Sequence, residues 1–98
     1  MRRDYRAVGF EWDEGNRDKC LSHGVSMAEI ESLFQDGVIA VFPDPHQGET
    51  RLRAVGRTTS GRSLFVVYTH RYVDGNLTIR PISARYMHSK EVRNYDVS

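Results

Sequence analysis

Seven arginines, no lysine and a single acid, Asp74, lie between Arg51 and Arg85. Arg51, Arg53, Arg57, Arg62, Arg71, Arg80 and Arg85 give that stretch a formal charge of +6, whereas residues 1–50 carry −5 and residues 86–98 balance at zero. The whole-chain value of +1 therefore conceals a polarised molecule. A guanidinium stays charged at any relevant pH and offers a planar fork that grips two anionic oxygens at once, which a hydrated ammonium does not. Side-chain alternation along a strand at Thr50–Thr58 puts Arg51, Arg53 and Arg57 on one face and Leu52, Ala54 and Gly56 on the other. Alternate positions on a strand lie roughly 6–7 Å apart, a spacing that suits a ladder of anionic groups. One such arginine alone reads as a solvated side chain worth about 0–1 kcal/mol. Seven of one sign point to a polyanion surface.

Arginine does not deprotonate, so any proton transfer needs another group. The histidines are His23, His46, His70 and His88, and an unperturbed imidazole titrates near pH ~6.5. His46 falls in a loop and His88 beside a helix cap, where both read as solvated; His70 has the opposite strand parity to Arg71 and faces away from it. Glu49 stands just before Arg51, as an acid–base group or as the partner that orients an arginine. Trp12 is either a stacking platform for a nucleobase or a core residue. Cys20 and His23 share a helical face at i, i+3, but two ligands without a second pair do not make a zinc site. As a thiol–imidazole pair they lack an orienting third group. No glycine-rich phosphate loop follows a strand, and no paired acids suggest a metal nuclease or a glycosidase.

The elements that must hold these side chains are legible in outline. After a charged segment Arg2–Ala7, read as frayed, Val8–Trp12 has the alternation of a short strand. Asp13 is a helix N-cap, the helix runs to about Ser22, and Gly24 suits a left-handed residue beyond its end. Ser26 with Glu29 predicts a capping box, Val25 with Ile30 a hydrophobic staple, and Met27, Ile30, Leu33 and Phe34 an apolar helical stripe ended by Gly37. Val38–Phe42, a continuous apolar run, predicts a buried strand stopped by Pro43-Asp-Pro45. Thr50–Thr58, Ser63–Tyr72 and Leu77–Tyr86 form a meander, with Asp74-Gly75 a strong hairpin turn and Pro81 marking an edge or a bulge. Ser89 caps a last short helix over Lys90–Val97 that offers Val92 and Tyr95 to the sheet. The order β-α-α-β-β-β-β-α predicts an α+β fold, a small antiparallel sheet with helices packed on one face.

Ninety-eight residues with 39% hydrophobic content suffice for one small domain. A single cysteine, the absence of an apolar run near 18 residues and an N-terminus without a signal-peptide core read as a soluble cytoplasmic protein.

Several of these residues carry a resemblance when read in order. Phe10-Glu-Trp-Asp13, His23-Gly-Val25, Leu33-Phe34, Arg51, Gly56-Arg57, Gly61-Arg62 with Leu64, Arg71, Ile82-Ser-Ala-Arg85 and Glu91…Tyr95 resemble the BrnT family. That family supplies the toxin of type II toxin–antitoxin modules and is similar in fold to the RelE ribonucleases. The segment between Asp13 and His23 is about one residue shorter than the family pattern, Ser22 replaces a lysine, and Pro81 replaces an aliphatic residue. The first two leave a basic role near His23 to Lys19 or Arg17.

The resemblance implies a metal-independent endoribonuclease, without cofactor, that inhibits translation and is neutralised by a BrnA-like antitoxin, the pair forming a heterotetramer. His23, the one histidine in a matching motif, is then the proton carrier, although a helix C-terminus also suits a structural His. Arg51, Arg57, Arg71 and Arg85 stabilise charge on the phosphorane, and Glu49 is a candidate acid or base. Lys19, Arg53, Arg62, Arg80 and Trp12 are the expected RNA contacts. The alternative is a non-catalytic RNA-binding or partner-binding module on the same fold.

Overall fold

Capping and turn residues set the element boundaries, and eight elements follow in the computed structural model, which describes residues 7–44 and 50–95. They are β1 (Gly9–Phe10), α1 (Glu14–Leu21), α2 (Met27–Asp36), β2 (Val38–Pro43), β3 (Leu52–Arg57), β4 (Ser63–Val73), β5 (Asn76–Tyr86) and α3 (Ser89–Tyr95). The sheet has the order β1-β5-β4-β3-β2. Its four later strands are antiparallel, but β1 lies parallel to β5, with Gly9 opposite Thr78 and Phe10 opposite Ile79. The sheet is therefore mixed, where an antiparallel one was expected. Two helices and three strands intervene between β1 and β5, and β1 returns alongside β5 in the same direction. The Val8 and Glu11 N–H groups donate to the Leu77 and Ile79 carbonyls, and Phe10 reaches Phe34 at 6.2 Å.

Residue chemistry explains most boundaries. Asp74 at φ 53° and Gly75 at φ 81° make the tight turn between β4 and β5. Asp13 caps α1 through a reciprocal box with Asn16: Asn16 N–H donates to the Asp13 carboxylate, and Asp13 N–H to the Asn16 side-chain oxygen. The Asn16 amide then donates to the Glu11 and Pro81 carbonyls at 3.0 and 2.7 Å, which ties the helix start to β5. On α2 the predicted box is only half made. Ser26 Oγ accepts from Glu29 N–H at 3.1 Å, but the Glu29 carboxylate takes the Tyr86 hydroxyl instead.

Helices α1 and α2 cover one face of the sheet. Cys20, Val25, Ile30, Leu33 and Phe34 meet Ala54, Leu64, Val66, Tyr68, Leu77, Ile79 and Ala84, and Phe34 sits edge-on to Tyr68 at 4.8 Å. Ala7, grouped with the frayed segment at the sequence level, is buried in this core. β2 is an edge strand, not the buried one its apolar run suggested: Val38 and Val41 are 54% and 38% exposed. It lies close on β3, where a Cβ on Gly56 would stand 2.2 Å from the Val38 carbonyl. Pro81 is accommodated by a register shift opposite Val67/Tyr68, the bulge that its residue type suggested, just beyond the stretch of β5 that pairs with β1. Among the described residues, no helix is long and apolar enough to cross a membrane.

Candidate functional site

The face of the sheet turned away from α1 and α2 collects the arginines. Pairing places Val55 opposite Phe65 and Phe65 opposite Arg85, so these three stand in a row across β3, β4 and β5. Arg53 and Arg57 share the parity of Val55, Arg71 that of Phe65, and Arg80 pairs with Thr69 on the same face. Arg51 precedes β3, and its carbonyl accepts from Asp44 N–H at 2.9 Å. Five of the seven predicted arginines, Arg53, Arg57, Arg71, Arg80 and Arg85, are thus brought to one side.

Phe65 is the centre of this face. The Arg53 guanidinium carbon lies 5.5 Å from its ring centroid and that of Arg85 4.6 Å away, so one ring supports two cations. The face is less bare than the sequence implied, because carboxylates from elsewhere in the chain meet most of the arginines. Asp44 contacts Arg53 at 3.1 Å, Glu11 pairs with Arg71, and Asp13 contacts Arg80 at 2.6 Å. Glu91 of α3 receives both Arg85 nitrogens, at 2.9 and 2.7 Å. The third helix therefore serves the open face, where all helices were expected on the other. Among the described residues Arg57 has no ion-pair partner.

These contacts move protons as well as charge. The Arg85 hydrogen bonds hold the Glu91 carboxyl down from 4.5 to about 2, helped by the His88 backbone N–H and by the charges of Arg85 and His88, against a smaller opposing effect of burial. Asp13 is lowered by the Asn16 backbone N–H first and by Arg80 next.

The remaining predicted residues stand elsewhere. His23 is exposed in the turn after α1, in the helix layer and away from the arginine face. Its neighbour Gly24, at φ 82°, offers a carbonyl to the Tyr86 hydroxyl at 3.4 Å; the same hydroxyl donates to Glu29 at 2.5 Å, and Arg62 lies 3.9 Å over the Tyr86 ring. The Glu29 hydrogen bond raises the Tyr86 pKa. Trp12 packs against the core and donates its indole N–H to Glu31 at 2.9 Å, and Lys19 is exposed on α1. Cys20 is buried, which pushes its thiol pKa up, while His23 is exposed. Glu49 and His46 lie outside the described residues. Among those described, no group of three or more His, Cys, Asp or Glu side chains is placed to hold a metal ion.

Residues 12–91 match the family model described as "Ribonuclease toxin, BrnT, of type II toxin-antitoxin system". The chain belongs to the BrnT family. No significant match is found among the curated proteins. The BrnT match opens on Trp12 and closes on Glu91, so it spans both the arginine face and the Tyr86 cluster.

Phe65, Asp44, Tyr86 and Glu29 were not singled out from the sequence as site residues, because cross-strand neighbours leave no local signal. Glu91 had one: it stands in the motif that carries the BrnT resemblance, six residues beyond Arg85.

Proposed function

We propose that this BrnT-family chain is a metal-independent endoribonuclease on a RelE-like fold, that it stops translation by cutting RNA, and that a BrnA-like antitoxin neutralises it in a heterotetramer. The observation that carries the reading is the open sheet face on which Arg53 and Arg85 flank Phe65 with Arg57 and Arg71 nearby. RNA supplies both things such a face binds, phosphate oxygens for the guanidinium forks and bases to stack on arginine planes and aromatic rings.

Cleavage without metal needs three services. A base removes the 2′-hydroxyl proton, the 2′-oxygen attacks the adjacent phosphorus, and the departing 5′-oxygen gains a proton. Arg85, Arg57, Arg53 and Arg71 stabilise the charge that gathers on the equatorial oxygens. Arg51 and Arg80 extend the cationic track along the backbone. For His23 to carry a proton, the RNA must wrap round the end of the sheet past Arg62 and Tyr86, where Lys19 adds charge in the helix layer. Trp12, held by Glu31, contributes by fixing that layer. Glu49, two residues before Arg51 in the sequence, is a second proton-transfer candidate.

The test is induced expression in bacteria, wild type beside Arg85→Ala and His23→Ala, with growth followed and total RNA mapped for new ends in chelator-containing extracts. Arrest with chelator-resistant cleavage that Arg85→Ala abolishes is the expected result. Normal growth with intact RNA, from folded protein, overturns the enzyme and leaves the binding module. Co-expression with the antitoxin restores growth, and light scattering of the purified complex reads its stoichiometry.

A further inference from the structure

Among the described residues, three of the four arginine–carboxylate pairs on the open face are drawn by a single guanidinium nitrogen, those of Arg53, Arg71 and Arg80. The fourth differs. Both terminal nitrogens of Arg85 meet both oxygens of Glu91, at 2.9 and 2.7 Å, which is the two-pronged geometry a guanidinium uses on two phosphate oxygens. The Phe65 ring lies 4.6 Å from the Arg85 guanidinium, so the sheet supports the fork alongside its carboxylate partner. Glu91 rides on the seven-residue α3, a length that has little helical stability of its own and depends on its contacts for its place. The cation thus rests on the sheet, and the anion is carried on a short helix.

We propose that Glu91 occupies the phosphate seat of Arg85 in the free protein and, displaced by the incoming phosphodiester, becomes the carboxylate that takes the 2′-hydroxyl proton. The first half concerns binding alone; the second rests on the ribonuclease reading. In the step, the 2′-O–H proton passes to Glu91 and the freed electron pair forms the O2′–P bond. The P–O5′ bond breaks with its pair on O5′, which is protonated from the solvent to which this face is open. The products are a 2′,3′-cyclic phosphate and a 5′-hydroxyl, and Glu91 returns its proton to water.

Displacement also prepares the base. The groups facing Glu91 are Arg85 from β5 and His88 at the start of α3. Once phosphate takes the Arg85 fork, the strongest cause of low basicity is gone, and the carboxyl returns towards its ordinary range.

The experiment compares wild type, Glu91→Gln, Glu91→Asp, Arg85→Ala and the Glu91→Gln/Arg85→Ala double variant. Binding of a short mixed-sequence 2′-O-methyl oligoribonucleotide, which lacks the attacking hydroxyl, is read by fluorescence anisotropy; cleavage is read on unmodified RNA of the same sequence. Glutamine can still accept the His88 N–H, so α3 keeps its start. Glu91→Gln is expected to bind about two- to fivefold tighter, the scale of a partly exposed ion pair, and to cut at least ~100-fold slower. In the Arg85→Ala background the tightening disappears. The shorter Glu91→Asp carboxylate, which does not reach the fork, binds more tightly too yet keeps a measurable share of cleavage.

Unchanged or weaker binding by Glu91→Gln, or tightening that survives Arg85→Ala, overturns the phosphate seat. Cleavage by Glu91→Gln within threefold of wild type overturns the proton acceptor. Wild type that binds and cuts nothing overturns the ribonuclease reading and with it the proton-transfer half, while the anisotropy series still decides the seat.

Discussion

An arginine on a sheet surface gains specificity when something fixes its plane, and here Phe65 does so for two of them. Phe65→Leu keeps the apolar bulk and removes the π face. It is expected to weaken RNA binding several-fold, about 1 kcal/mol for the lost cation–π support, and equilibrium binding of the oligonucleotide checks it. Glu91 makes a prediction of a different kind. Its folded pKa, about 2, lies below the ordinary 4.5, so the stability it contributes is complete above the ordinary value and is lost as pH falls through that window towards about 2. Urea denaturation at pH values spanning the window should show wild type losing stability more steeply than Glu91→Gln. Equal slopes would mean that the Arg85 pair does not persist in solution.

At the scale of elements, Asn16 is the joint between α1 and the sheet. Asn16→Ala leaves the Glu11 and Pro81 carbonyls without their donor and removes half of the capping box. The expected cost is about 2–4 kcal/mol, a fall in Tm of about 10–20 °C by thermal denaturation. Gly56→Ala sets a methyl group against the Val38 carbonyl and should cost about 3 kcal/mol as β2 is forced from β3, read by the same measurement. Asp13, Ser26 and the Asp74-Gly75 turn were legible because cap and turn chemistry is local. The Asn16 bonds to Pro81 and the Tyr86 claim on Glu29 were not, since their partners lie 65 and 57 residues away in sequence. Val38–Phe42 was misread for a related reason: an apolar run records that a strand is hydrophobic, and says nothing of whether a neighbour covers its outer side. The parity of Arg53 and Arg57 held because alternation along one strand is itself a local rule.

Across the whole molecule, the polarity read along the sequence is folded back on itself. Acids at Glu11, Asp13 and Asp44, from the negative first half, are laid against Arg71, Arg80 and Arg53 of the positive second half. Binding RNA then exchanges one anion for another at most contacts, and few counterions are released. The slope of log K against log salt should be about −2 or shallower, where seven unpaired arginines on a single strand would give about −5. A titration of oligonucleotide affinity against salt decides between them.

The parallel β1–β5 pair has a consequence in time. Gly9 and Phe10 wait for partners at Thr78 and Ile79, and α1 waits for the Pro81 carbonyl, so the first elements made are among the last to be secured. Closing such distant contacts is slow compared with forming helices and hairpins. Until β5 leaves the ribosome, α2 has incomplete cover for Ile30, Leu33 and Phe34, and Arg53 lacks its companion across Phe65. A growing chain thus carries no finished arginine face until β5 has taken its place beside β4 and β1.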